Sequence, residues 1–398
     1  MEVTIYPQKL KGEVIIPPSK SLTHRALICA SLADGISTIY NPLYSDDTYA
    51  TISCLKSLGV QIDEYKDKII VHGVKEYSLR GRLDAKDSAS TIRFLIPLIS
   101  LFINDFTFYG SKRLMERINT PDLLALDGLK FTFALDCVNI KGKLNNNLHL
   151  SDNITSQFIS GILFTTPYTN ILLKNYDNPY IDLTKSMINY FLRNNKYEPQ
   201  EIEIESDFSS ASFFIAMMLN NDIKINNLHF NSLQGDKRII SIFEEMGARF
   251  KKDSNTLTCL LGMTNGITIN LSKNPDLVPI VAAVASISKG RSRITGIEKL
   301  QYKESNRIKS IYESLKAIGA DIEIENYDLI INGKEFLEGN NTISGFHDHR
   351  IIMSLVALSS KVKYPYVIKG YEDVKKSFPN FWDLYQLIGG KYDCKISK

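Results

Sequence analysis

The chain has 398 residues, 44% hydrophobic and 23% charged, which excludes disorder over most of its length and a single small domain. Lys and Arg number 47 against 44 Asp and Glu, so the net charge of +3 gives no case for broad nucleic-acid binding, and any work on anions falls to local clusters of cations. The longest apolar stretch, Phe94 to Ile103, is broken by Pro97 and Ser100 and falls short of the ~18 residues that cross a bilayer; the start of the chain carries no secretory pattern.

Taken in chain order, the predicted elements repeat. An apolar helical stretch ends in Gly and an alternating β-rich stretch follows. Ile52 to Leu58 stops at Gly59, before Val60–Asp63 and Ile69–Gly73. Leu123 to Asp127 stops at Gly128, before Lys130–Phe133 and Val138–Gly142. A weaker case runs from Met187 to Leu192, then Asn194-Asn195 and Ile202–Glu205. Ile240 to Met246 stops at Gly247, Ile311 to Ile318 at Gly319, and Trp382 to Ile388 at Gly389. Gly just past a helix accepts the left-handed conformation that closes it. The well-marked glycines recur about 70 residues apart, which points to six similar units that bury their apolar faces only by stacking. Closer spacing between the third and fourth units marks a join near Asn231–Asp236, with three units on either side.

The chemistry-bearing residues gather where a strand gives way to a helix. Pro17-Pro18-Ser19-Lys20-Ser21-Leu22-Thr23-His24-Arg25 puts a capping hydroxyl, an ammonium and a guanidinium at one helix start, a prepared anion site. Gly110-Ser111-Lys112-Arg113, with Glu116 and Arg117, reads as a basic loop. Asn153-Ile154-Thr155-Ser156-Gln157 opens the apolar run from Phe158, and Pro275-Asp276 opens that from Leu277. Lys303-Glu304-Ser305-Asn306-Arg307 stands at a further helix start, although such a charge run also suits a solvated face. His347-Asp348-His349-Arg350 precedes the apolar Ile351 to Leu358; adjacent positions there diverge, which speaks against metal ligation. Lys375-Lys376-Ser377-Phe378-Pro379 closes the series. Helix starts aimed at one place would make an electropositive pocket for small, multiply charged anions. Five cysteines without a CxxC pair read as reduced thiols, not as a zinc site or a disulfide framework.

From Lys9 to Pro379 these segments resemble the enolpyruvyl transferases of the 5-enolpyruvylshikimate-3-phosphate synthase family. The resemblance rests on the Pro17–Gly35 segment, Lys303–Ile308, Asp348–Arg350 and Lys375–Phe381, with weaker support from Ile154–Leu163, Asn178–Thr184, Ser206–Phe214 and Leu233–Asp236. It implies an α/β (α+β) fold of two similar domains, each of three βαβαββ-like repeats (an inverse α/β prism), with the active site in the interdomain cleft. The expected domains are 1–18 plus 231–398 and 19–230, joined by a double crossover near 18 and 231–236. The reaction implied moves the enolpyruvyl group of phosphoenolpyruvate to the 5-hydroxyl of shikimate 3-phosphate and releases phosphate, without metal or organic cofactor. The resemblance assigns Lys20, Ala89, Arg117, Gln157, Arg307, His349, Arg350 and Lys376 to phosphoenolpyruvate. It assigns Ser21, Arg25, Thr155, Ser156, Gln157, Tyr180, Asp276 and Lys303 to shikimate 3-phosphate. Asp276 would take the hydroxyl proton, Glu304 would protonate and later deprotonate the methylene carbon, and Lys20 would act beside them. A cytoplasmic monomer that meets only small molecules, with no nucleic-acid or membrane partner, is expected.

The sister enzyme that acts on a UDP-sugar is disfavoured. It carries a reactive Cys in the loop corresponding to Gly110–Pro121, where this chain has none, and a Lys-Asn start where this chain has Lys20-Ser21. A non-catalytic binder of phosphorylated metabolites would not keep both Asp276 and Glu304, and an RNA-end enzyme is disfavoured by the near-neutral charge. Four positions depart from the family pattern. Ala89 stands at the usual glycine, Asp177 near a serine position, Lys299 at a neutral amide, and Ile118 at a proline. A methyl at Ala89 narrows the space over phosphoenolpyruvate. Inhibition titrations with glyphosate are therefore expected to show weaker binding to the natural chain than to Ala89→Gly; equal sensitivity would reject this.

Overall fold

The computed structural model describes residues 1–145, 148, 154–171, 173–174 and 176–395. They form two compact units, Met1–Pro17 with Ser206–Lys398, and Pro18–Glu205. The division thus falls at Glu205/Ser206, before the join expected at 231–236. The reason is strand pairing: Asp222–Asn226 runs parallel to Lys11–Ile15 and so belongs to the unit that holds the N-terminus.

The first unit carries three four-stranded sheets of one pattern. In one, Thr268–Asn270 runs parallel to Arg291–Thr295, which pairs antiparallel with Asp328–Asn332, and that strand with Asp321–Glu325. Helices Val278–Ala285 and Arg307–Ala317 fill the two connections, giving the chain order βαβαββ. The second sheet repeats the arrangement with Lys11–Ile15, Asp222–Asn226, Thr256–Leu261 and Arg249–Asp253. The third uses Thr342–Ser344, Tyr366–Lys369, Tyr392–Lys395 and, from the other end of the chain, Glu2–Ile5. Among the described residues the second unit has two such sheets. One is Glu201–Glu203, Gly35–Tyr40, Lys68–Gly73 and Gln61–Glu64; the other is Leu83–Asp84, Asp105–Tyr109, Cys137–Gly142 and Leu129–Phe133.

Each core is built around helices. Phe208–Met218, Val278–Ala285 and His349–Ala357 are buried almost throughout, as their apolar sequences require of a helix without a polar face. Lys20–Ser31, Ala89–Phe102 and Ser156–Thr165 serve the second unit in the same way. A fully buried Ile, Leu or Phe adds roughly 1.5–3 kcal/mol each. The predicted helix stops at Gly59, Gly247, Gly319 and Gly389 are real, whereas the stretch before Gly128 is a short turn, Pro121–Ala125; Gly319 has φ +103°, a region closed to most side chains. The glycine that ends a repeat's hairpin has a different cause. A Cβ on Gly333 would lie 1.6 Å from the Ser288 carbonyl, and one on Gly73 would lie 1.9 Å from that of Ala33. In both cases the strand end passes directly over the C-terminus of the first helix of the repeat. Gly333→Ala must displace backbone, at a cost of about 2–3 kcal/mol. Differential scanning calorimetry is expected to show a Tm lower by roughly 5–10 °C.

Candidate active site

A helix start leaves backbone N–H groups without partners, so each core helix needs polar groups at that end. Asp348 caps His349–Ala357 by accepting from Arg350 N. Asp276 lies in the short turn Pro275–Leu277 that runs into Val278–Ala285, and Asn306 caps Arg307–Ala317. These ends meet. Arg307 has a side chain with 0% exposure; its Nε donates to Asp348 Oδ2 at 2.9 Å and its Nη1 to Asp276 Oδ1 at 3.0 Å. Its Nη2 donates to Glu304 and, at 3.3 Å, to Asp348 Oδ1. Lys303 Nζ lies 3.3 Å from Asp276 Oδ1, and Arg350 Nη2 lies 3.1 Å from Asp276 Oδ2. Ser305 Oγ donates to Asp348 at 3.1 Å. Three cations therefore face three carboxylates. Each of these cations is thus paired with carboxylates of the protein itself.

Burial alone would raise the carboxyl of Asp276, but Arg350, Lys303 and Arg307 together outweigh it and hold the group well below its ordinary range. Burial opposes the charge on Arg307, and Asp348, Glu304 and Asp276 more than restore it, so its pKa lies above the usual value. His349 is buried next to Arg350, whereas His347 is exposed and lies 3.1 Å from Asp373. The two imidazoles diverge, as the adjacency argument anticipated. Lys376 ends the turn Tyr371–Lys376 and its charge acts on Asp373.

The second unit holds a separate set. Ser19 caps Lys20–Ser31, and Lys20 Nζ lies 2.7 Å from Asp47 Oδ2. Arg25 is buried; it donates to Ser21 O at 2.8 Å, to Tyr180 O at 3.0 Å and to Thr184 Oγ1 at 2.8 Å. Ser21 is thus held one turn before Arg25, and the backbone of Tyr180, not its ring, makes this contact. Ala89 opens Ala89–Phe102 and is 5% exposed. Arg93 joins the other members: its Nη1 donates to Gln157 Oε1 at 2.7 Å and its Nη2 to Arg117 O at 2.7 Å, while Gln157 Nε2 donates to Ser90 Oγ at 2.8 Å. Thr155 precedes Ser156–Thr165, its N–H bonded to Asp122 at 3.1 Å. Asn153, from the same sequence motif, lies outside the described residues. The presumed basic loop is in fact a helix, Lys112–Ile118, capped by Ser111, with Ile118 buried in its last position. Asp177 and Lys299, two of the departures, are both exposed.

A buried polar chain fixes this end. His24 Nδ1 meets Thr51 Oγ1 at 2.8 Å, Thr51 meets Thr91 at 2.7 Å, and Thr91 donates to Ser88 Oγ at 2.8 Å, which links the helices Lys20–Ser31, Asp46–Ser57 and Ala89–Phe102. Burial drives the His24 imidazole down to about 3, so it is neutral. Sequence reasoning gave no role to Asp47, Arg93, Asp348 or Thr184. Asp348 and Thr184 stood inside quoted motifs, but Asp47 and Arg93 are distant in sequence from their partners and left no local signal. Among the described residues no cluster of His, Cys, Asp and Glu is placed to hold a metal ion.

The family model for EPSP synthase (3-phosphoshikimate 1-carboxyvinyltransferase) matches residues 5–384. A 3-phosphoshikimate 1-carboxyvinyltransferase of Clostridium perfringens is 39% identical over 419 residues, covering 98% of both chains. That of Clostridium kluyveri is 37% identical over 418 residues, with 98% of each covered. Among solved structures, an EPSP synthase from Acinetobacter baumannii superposes with a TM-score of 0.73 at 25% identity, covering 98% of this chain and 99% of its own.

The lowered carboxyl of Asp276 has a sign that can be checked. A depressed acid stabilises the fold above its unfolded value, near 3.8, and the contribution is lost as pH falls towards the folded value. Asp276→Asn should cost roughly 2 kcal/mol at pH 7, less than the ~3–5 kcal/mol of a fully enclosed pair, because the side chain keeps 22% exposure. Urea denaturation should show that gap constant from about pH 8 to 5 and shrinking below about pH 4.

Proposed function

The chain belongs to the EPSP synthase family, and on that premise we propose how its residues divide the work. The reaction is transfer of the 1-carboxyvinyl group of phosphoenolpyruvate to the 5-hydroxyl of shikimate 3-phosphate, with release of phosphate, in the shikimate pathway. The hydroxyl oxygen bonds to C2 of phosphoenolpyruvate while C3 takes a proton. C3 then gives up a proton as the C–O bond to phosphate breaks. Addition followed by elimination needs an acid that later acts as a base.

In this reading Asp276 takes the hydroxyl proton and Glu304 serves C3 in both directions. Arg307, Arg350, Lys376, Lys20 and Arg117 hold the carboxylate and phosphate of phosphoenolpyruvate, with Ala89, Gln157 and His349 beside them. Ser21, Arg25, Thr155, Ser156, Tyr180 and Lys303 hold shikimate 3-phosphate. One observation carries the proposal: Asp276 and Glu304 are bound to the same buried guanidinium, that of Arg307. Both carboxylates are thereby placed beside one anion-binding group. Guanidinium pairs bidentately with carboxylate and phosphate. Substrate anions on Arg307, Arg350 and Lys303 compete with Asp276 for these cations, which raises its basicity at the moment a proton must be taken. Carboxylates left near C2 stabilise the positive charge that develops there on protonation of C3.

A cytoplasmic monomer without nucleic-acid or membrane partners completes the reading. All five cysteines are free, and no described helix is long and apolar enough to cross a membrane. A phosphate-release assay with phosphoenolpyruvate and shikimate 3-phosphate tests the whole. Glu304→Gln should lower kcat about 10²-fold or more with little change in KM. No release by the natural chain would overturn the function, and undiminished turnover by the variant would overturn the role of Glu304.

A further inference from the structure

A cavity of about 490 Å³ opens in the first unit beside the loop that runs from Ser232 to Arg238. Phe230, Leu233 and Ile240 form its apolar wall; Lys237, Arg238 and Lys252 supply charge, with the hydroxyls of Ser232 and Ser241. No carboxylate lines it. Glu244 reaches Lys252 at 3.6 Å, and Asp236, in the same turn, accepts from Ser209. The ammonium of Lys237 is pinned by two backbone carbonyls, Phe230 O at 3.0 Å and Ser232 O at 2.6 Å. That geometry leaves the third N–H of the ammonium. Arg238 spends one Nη1 bond on Asn274 Oδ1 at 3.3 Å. The volume lies within the range of small-molecule sites, about 300–1,000 Å³.

The loop is wired to two sensitive places. Gln234 accepts from Phe208 N at 3.0 Å and donates to Ser206 O at 2.7 Å, where the chain re-enters this unit and a core helix begins. Asn274 is 2% exposed and held from both sides: it accepts from Arg238 and donates to Gly235 O at 2.9 Å. Asp276 follows two residues later.

We propose that this cavity is a second anion site, for a compact organic anion with a carboxylate or phosphate head and an apolar body, and that its occupancy reaches Asp276 through Arg238 and Asn274. The head group collects Lys237 and Arg238, while Phe230, Leu233 and Ile240 cover the body. An anion that draws on Arg238 competes with Asn274 for the guanidinium and so acts on the turn that carries Asp276. Only this last consequence rests on the reading of Asp276 as the base.

Calorimetric titration of the full chain with phenyl phosphate and with phenylacetate tests the site, and the tighter of the two identifies the head group. Binding should persist in the double variant Lys20→Gln/Lys303→Gln, which weakens both sets of active-site cations. It should fall roughly tenfold in Arg238→Gln and measurably in Lys252→Gln, an exposed position at which the fold is not in question. Absence of binding by both probes up to about 10 mM, or loss in the double variant with retention in Arg238→Gln and Lys252→Gln, would overturn the site. Saturating probe should change kcat of the natural chain about twofold or more and leave that of Arg238→Gln unmoved. Binding without any change in kcat would overturn the coupling while the site itself stands.

Discussion

A fully enclosed guanidinium is the constraint on which the first unit depends. Arg307 has no exposed side-chain surface, and an uncompensated ion there would cost several kcal/mol. Asp348, Asp276 and Glu304 supply the compensation, and they arrive from three different helix starts. One charge thus fixes how the helices His349–Ala357, Val278–Ala285 and Arg307–Ala317 approach each other. Ser305 and the backbone N–H of Arg350 take up further lone pairs of Asp348, so the buried pair is satisfied rather than merely neutralised.

The same logic explains why chemistry accumulates at one end of each core. A helix without a polar face is surrounded by other elements, and its first N–H groups can be satisfied only by capping side chains or by neighbouring starts. In the second unit hydroxyls perform this duty, through Ser19, Ser88 and the chain from His24 to Thr91. In the first unit the carboxylates of Asp207 and Asp348 do so, with the amide of Asn306. The difference has an electrostatic result. The helix starts of the second unit pair Lys20 with Asp47 and bury Arg25 among neutral oxygens, whereas those of the first unit balance cation against carboxylate.

Under the proposed assignment of roles, that balance bears on catalysis. A cluster already neutral binds an anion only by exchange: the incoming carboxylate or phosphate takes over donors that the carboxylates of the protein had used. In the proposed division of roles, the exchange ties substrate binding to the state of Asp276 and Glu304, because a carboxylate relieved of its cation is a stronger base. Groups that act on the reaction therefore need not be basic in the resting protein.

Much of this was legible from residue order. The helix stops at Gly59, Gly247, Gly319 and Gly389, the helix starts at Lys20, Arg307 and His349, and the family resemblance all rest on local patterns, because capping and left-handed turns are decided by neighbours within a few residues. The third repeat, weak in sequence, shows the hairpin Leu192–Arg193 with Lys196–Tyr197 among the described residues. Residue order misplaced the unit boundary and read Lys112–Ile118 as a loop. It could not show that Asp47 meets Lys20, that Thr184 receives Arg25, that Arg93 binds Gln157, or that Arg307 is enclosed by three acids. Those contacts join residues far apart along the chain, and only the packing of helices against each other decides which charges lose water together and must find partners.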